Sequence, residues 1–221
     1  IPCLLVCACE SQKVPSEQTV ANSAAAAAVE RYECNRCHTA QKTLTPAPHE
    51  TNCSGCHTAI KSGEYDWKIW KYPPGSLDHW KENITHLVDV PTLTGAGERF
   101  RRDWFVEYMQ SPHDLRPQLE ATMPRFGMPE EDARLVADYF IPEGSSRPEV
   151  DLSGADPDAG RALMEKNNCG VCHSFSGTEP LEAAGSGDVQ TEDLSRATKL
   201  APDLRYTRER MTPAAVVAWL E

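Results

Sequence analysis

One five-residue spelling occurs three times in this chain: Cys34-Asn-Arg-Cys37-His38, Cys53-Ser-Gly-Cys56-His57 and Cys169-Gly-Val-Cys172-His173. These motifs take six of the nine cysteines, and the other three, Cys3, Cys7 and Cys9, fall within the first nine residues. No cysteine beyond residue 9 remains for a structural disulfide. Cross-links therefore do not hold the fold of the remaining chain. Hydrophobic residues make up 40% of the 221, enough for small cores but not for one generous core. Seventeen prolines spread along the chain exclude long unbroken helices.

Cys-x-x-Cys-His is the attachment pattern of c-type haem, for a geometric reason. Two thiols separated by two residues reach the two vinyl carbons on one porphyrin edge and form thioethers. The next residue, a histidine, then turns back under the ring and offers a nitrogen to the iron. A haem held this way also supplies apolar core to a chain that has little. Three copies predict three heme c groups (iron), bound through Cys34 and Cys37, Cys53 and Cys56, and Cys169 and Cys172. His38, His57 and His173 are then the first axial ligands. A competing reading is a four-thiolate zinc site, because 15 residues separate the first two pairs. A histidine after every pair weighs against it, as does the third pair, which has no partner pair left. A thioredoxin-like redox pair lacks the surrounding βαβ pattern.

With these motifs in place, the chain resembles bacterial multihaem cytochromes c over residues 24–221. The resemblance is to a triheme cytochrome built from two class I-like modules. It implies a mostly α fold in which a helix leads into each CxxCH, followed by a Pro-x-Leu loop and another helix. A Met-Pro then supplies the second iron ligand, and a last helix closes the module. It also implies that the loop proline carbonyl accepts a hydrogen bond from the ligand histidine and fixes the ring. In the first module the matching segments are Pro91-Thr92-Leu93, an apolar helix over 100–109, Met123-Pro124, and a helix after Pro129. That last helix has apolar residues at 133, 136, 137 and 140, which is helical spacing. In the second, a helix from Asp158 runs toward Cys169, and Pro202-Asp203-Leu204 matches the loop. Tyr108 and Trp219 each lie 15 residues after the loop leucine, which supports a true repeat. By the same register the counterpart of Met123 would fall near position 234, beyond Glu221. The third haem's distal ligand is expected there, and the second module reads as incomplete. The organisation implied is 1–23, a signal remnant and lipid-anchored tether; 24–143, a diheme module; 144–157, a linker; and 158–221, a monohaem module. An alanine run at 24–28 favours a helix that ends at the first motif.

Met123 is the candidate second ligand of the first haem, with Met128 as its rival. The second motif lies in an insert: His38 and Pro91 are 53 residues apart, whereas His173 and Pro202 are 29 apart. The insert contains no methionine, so a histidine is the economical second ligand there. His86 is preferred over His79 and His49. His79 and His86 sit two turns apart on one face of a helix predicted over 77–88. Met109 and Met164 read as packing, Met211 as packing or surface, and His113 as an exposed turn residue. Trp67, Trp70, Tyr72 and Trp80 are expected to cover the second haem.

A net charge of −11 argues against a general nucleic-acid binder, and no run of 18 apolar residues exists to span a bilayer. Leu4-Leu5-Val6 is similar to the end of a secretory h-region. Val6-Cys7-Ala8-Cys9 resembles a bacterial lipoprotein box with Cys9 as the lipid-bearing residue; a soluble secretory leader is the alternative. The expected location is the periplasmic side of a bacterial membrane, held there by lipid. Iron with both axial positions filled exchanges electrons only. The expected function is therefore electron transfer with redox protein partners or as a subunit of a membrane respiratory complex. The alternatives are a haem enzyme of the peroxidase or nitrogen-oxide reductase type, using an open distal site, and a zinc-stabilised interaction module.

Overall fold

The computed structural model describes residues 17–64, 78–84, 87–88, 90–113, 115–117, 123–182, 198 and 200–221. The described residues are mostly helical, with no strand among them beyond two isolated bridges.

Helix α1 (Glu17–Arg31) carries the alanine run and ends just before the first motif. It begins seven residues earlier than the expected module boundary at 24, because the polar stretch preceding the alanines joins the helix they favour. Its buried face is Ala25, Ala28 and Val29, at helical spacing. That face packs on α6 (Glu130–Phe140), which presents Ala133, Val136, Ala137 and Phe140. Alanines on both sides let the two backbones approach closely. Helix α5 (Arg102–Gln110) adds Phe105, Val106 and Met109 to the same core. Burying each of these larger side chains contributes about 1.5–3 kcal/mol. Asp132 is buried at the start of α6, where Arg31 donates to both its oxygens at 3.1 and 2.9 Å and the Tyr32 hydroxyl donates at 2.7 Å. This ties the two helices together immediately beside the first motif.

The insert is a separate small cluster. Helix α2 (Cys53–Ser62) bears the second motif and packs on α3 (Asp78–Asn83) through Ile60 and Ile84, flanked by Cys56 and Val88. The expected helix over 77–88 is shorter than its pattern suggested. It stops at Asn83, and Leu87 adopts a left-handed φ of 63° that no helix tolerates. The helical face expected to carry both His79 and His86 is described only as far as His79. His86, Trp67, Trp70 and Tyr72 lie outside the described residues, as does Cys9.

After the Pro91 loop come α4 (Ala96–Arg99) and α5; after the Pro202 loop come α8 (Thr207–Arg210) and α9 (Pro213–Leu220). A single offset of 111 carries α4 onto α8, α5 onto α9, and the capping residues Gly95 and Arg101 onto Tyr206 and Thr212. Helix α7 (Pro157–Lys166), capped by Asp156 with proline at its first turn, leads toward the third motif. Its Leu163 is exposed, as are Val217, Trp219 and Leu220 on α9.

The modules meet at repeat-equivalent residues. Phe100 bridges Met211 in antiparallel fashion. Arg101 N–H donates to the Arg210 carbonyl at 2.9 Å, and Thr212 N–H donates to the Arg99 carbonyl at 3.2 Å. Because 111 maps Arg99 to Arg210 and Arg101 to Thr212, these two bonds are the same bond seen from each module. The seam has pseudo-twofold symmetry. Beside it, the His113 ring lies between Tyr108 at 5.4 Å and Tyr206 at 5.2 Å, so this exposed histidine bridges the modules. Met211, expected as packing or surface, sits in the seam itself.

Candidate functional site

The first and third motifs fold alike. Cys34–Arg36 and Cys169–Val171 are both 3-10 turns. Each turn is entered through a left-handed residue, Glu33 at φ 48° and Asn168 at φ 57°. In each, the histidine N–H donates to the carbonyl of the first cysteine at 2.9 Å. The turn brings two sulfurs and one imidazole onto a short stretch of chain without a continuing helix.

The rings are then fixed from outside. His38 Nδ1 lies 2.9 Å from the Pro91 carbonyl, and His173 Nδ1 lies 2.9 Å from the Pro202 carbonyl. A carbonyl only accepts, so Nδ1 carries a proton, and in the neutral ring Nε2 keeps the lone pair. Each histidine is thereby set up as a ligand through Nε2. Burial lowers the His38 pKa, against a smaller opposing effect of the Pro91 bond, and this favours the neutral, ligand-competent ring. A backbone clamp repeats as well. Leu93 N–H donates to the Thr39 carbonyl at 2.8 Å, and Leu204 N–H donates to the Ser174 carbonyl at 2.9 Å. In the second module Asp203 reinforces the clamp by accepting from Ser176 N–H at 3.1 Å and Arg205 N–H at 2.9 Å, besides the Ser176 hydroxyl.

The second motif is helical instead. Asn52 caps α2 by accepting from Gly55 N–H at 2.8 Å, and Gly63 ends it at φ 78°. Cys53, Cys56 and His57 all lie within this helix. It abuts the first motif: the Ser54 hydroxyl donates to the Cys37 carbonyl at 2.8 Å, and Arg36 Nε donates to the Thr51 carbonyl at 3.0 Å. These bonds set the two motifs side by side, and burial together with neighbouring Cys53 pushes the Cys37 thiol up. Burial raises the Cys34 thiol to about 11, and burial together with Cys53 raises Cys56. All six motif cysteines are half-buried free thiols.

Met123 is half-buried against the first module's core, whereas its rival Met128 is a fully buried member of that core. His79 is exposed on α3 with its ring against Trp80. His49 is exposed in the loop before Asn52. Met109 is buried packing, as expected. Sequence reasoning missed the part Asp203 plays in bracing the third motif's loop.

Among the described residues, no group of three or more His, Cys, Asp or Glu side chains is gathered as a metal cage, and no helix is long and apolar enough to cross a membrane. The residues present fit haem attachment in kind: two thiols and a histidine with a free Nε2 on one turn, twice over. No family model, curated protein or solved structure matches the chain.

Proposed function

We propose that the chain is an electron-transfer cytochrome c with three covalently attached haems, built as two class I-like modules. The observation that carries this reading is the duplicated His–Pro hydrogen bond, 2.9 Å in both modules. It orients a ligand histidine whose neighbours on the same turn are the two thiols that thioether attachment requires. Bound haem supplies a one-electron iron couple. The chain's residues do the rest. Cys34 and Cys37, Cys53 and Cys56, and Cys169 and Cys172 anchor the groups. His38, His57 and His173 present Nε2 to the iron, and Pro91 and Pro202 hold two of those rings. Met123 is the second ligand proposed for the first haem, and His86 for the second. A Met/His pair favours a raised potential and a His/His pair a lower one.

In this reading Cys9 bears the lipid and the protein works at the periplasmic face of a bacterial membrane. It exchanges electrons with redox proteins or with subunits of a membrane respiratory complex. The test is pyridine haemochrome quantification and a reduced-minus-oxidised spectrum of protein matured by a haem-attachment host. Three low-spin c haems per chain are expected. None at all overturns the reading, and a high-spin component shifts it toward the haem-enzyme alternative.

A further inference from the structure

The junction of the first two motifs brings together thiols that belong to different motifs. Cys37 closes the 3-10 turn of the first motif, and Cys53 opens helix α2. The Ser54 hydroxyl, one residue on from Cys53, donates to the carbonyl of Cys37 itself at 2.8 Å. Arg36, one residue before Cys37, donates from Nε to the Thr51 carbonyl at 3.0 Å and also reaches the Cys53 side chain. Between these two ties, the Cys37 and Cys53 side chains hydrogen-bond to each other. Within each motif the contact is looser: Cys37 bears on Cys34, and Cys53 on Cys56, without a side-chain hydrogen bond between the partners. The third motif is arranged differently, with Cys172 Sγ 3.6 Å from the Thr198 hydroxyl. Cys37 and Cys53 are both only half-buried, so a small oxidant reaches them.

We propose that Cys37 and Cys53 form a disulfide in the chain before haem attachment, joining the first motif to the second. The oxidant is a disulfide donor of the thiol-exchange class. One thiolate of the pair attacks the donor's S–S bond and releases one donor thiol. The second thiolate attacks the resulting mixed disulfide and releases the other donor thiol. The pair loses two electrons and two protons, and the donor takes up both. An oxidising compartment, such as the periplasmic side proposed above, is where such a bond forms and persists. The bond itself needs no haem, but its consequence rests on the cytochrome reading. Thioether formation adds a thiol S–H across a vinyl group, and a disulfide has none to add. Neither motif can then complete its thioethers, so one bond withholds two haems together and spares the third. Reduction by a dithiol releases both motifs at once.

The test uses the full chain made without haem-attachment machinery, titrated with oxidised glutathione and then alkylated. Trypsin cuts after Arg36, Lys42 and Lys61, so Cys34, Cys37 and the Cys53/Cys56 pair fall on three separate peptides. Non-reducing mass spectrometry is expected to find peptide 37–42 joined to peptide 43–61, with Cys34 and Cys56 alkylated. Cys56→Ser keeps the link, and Cys53→Ser abolishes it. Ser54→Ala, which touches no cysteine, slows its formation roughly two- to tenfold, the net worth of one hydrogen bond. If Cys53→Ser does not accumulate, fragmentation of the wild-type peptide between Cys53 and Cys56 assigns the sulfur. A link within a motif, 34–37 or 53–56, as the main product overturns the proposal, and so does a chain that stays fully alkylated. The oxidised and reduced chains are then incubated with ferrous haem, and attachment is read peptide by peptide. The oxidised chain is expected to take haem at Cys169/Cys172 alone, and the reduced chain at all three motifs. Loss at all three motifs, or at none, overturns the shared gate. A reduced chain that takes up no haem overturns the functional reading and leaves the cross-link standing.

Discussion

The first and second motifs have the same spelling and adjoin in space, yet their backbones differ. Cys34–Arg36 is a 3-10 turn entered through left-handed Glu33, and Cys53–Ser62 is an α-helix entered through the Asn52 cap. The third motif, far away in sequence, copies the first rather than its neighbour. The five residues specify which atoms are offered. The residues on either side decide the backbone that offers them, and the Pro loop decides which way the histidine faces.

The strongest way to break the comparison is to remove the thiols. Under the proposed cytochrome function, replacing both cysteines with serine in any one motif should reduce pyridine haemochrome from three haems to two. Loss at Cys34/Cys37 or Cys169/Cys172 should also lower thermal stability far more than loss at Cys53/Cys56. The turn motifs have no helix of their own to fall back on. Equal stability losses in all three would make the backbone difference irrelevant.

Importing the first motif's residue into the third is the next step. A Cβ at Gly170 would lie 2.7 Å from the Leu181 carbonyl, whereas the equivalent Asn35 has room to donate to the Thr45 carbonyl. Gly170→Asn should cost about 1–3 kcal/mol in denaturant unfolding, from forced overpacking. A buried carboxylate on the proline loop also braces the third motif. Burial pushes the Asp203 pKa up, but hydrogen bonds from Ser176 and Arg205 outweigh it and leave it below the ordinary 3.8. A depressed carboxylate adds stability that is fully present above 3.8 and disappears as pH falls through its folded value. Asp203→Asn should flatten acid unfolding of the second module below that point and leave the first module's acid profile unchanged.

The smallest effects separate the two ways into a motif. Asn52→Ala removes a cap and should destabilise α2 by about 1 kcal/mol. Glu33→Gly relieves a side chain at φ 48° and should stabilise by roughly 0.5–1 kcal/mol, read as a rise in unfolding midpoint. The same sign for both would mean that entry geometry does not distinguish the motifs.

Much of the framework was legible from spacing. The apolar residues at 133, 136, 137 and 140 mark α6 and the alanine run marks α1, whereas the pairing of Pro91 and Pro202 with their histidines came from the family resemblance and not from spacing. The end of α3 was not legible, because Leu87 takes a left-handed conformation without a glycine to announce it. Nor was the seam, since a two-bond bridge has no periodicity to read. The distinct backbones of the motifs were hidden because the motif residues themselves do not encode them.

Phe100 and Met211 lie 111 residues apart along the chain, whereas His173 finds Pro202 across 29. Closing a loop costs more entropy as it lengthens, and folding slows as contacts become less local. The docking of the halves is therefore a late event in the chain's history. The third motif and its proline loop come together over a quarter of that distance, before the halves meet. Each turn thus has an interval in which it is formed but not yet crowded by the other half, and under the proposed cytochrome function that interval is when an attachment enzyme would reach it.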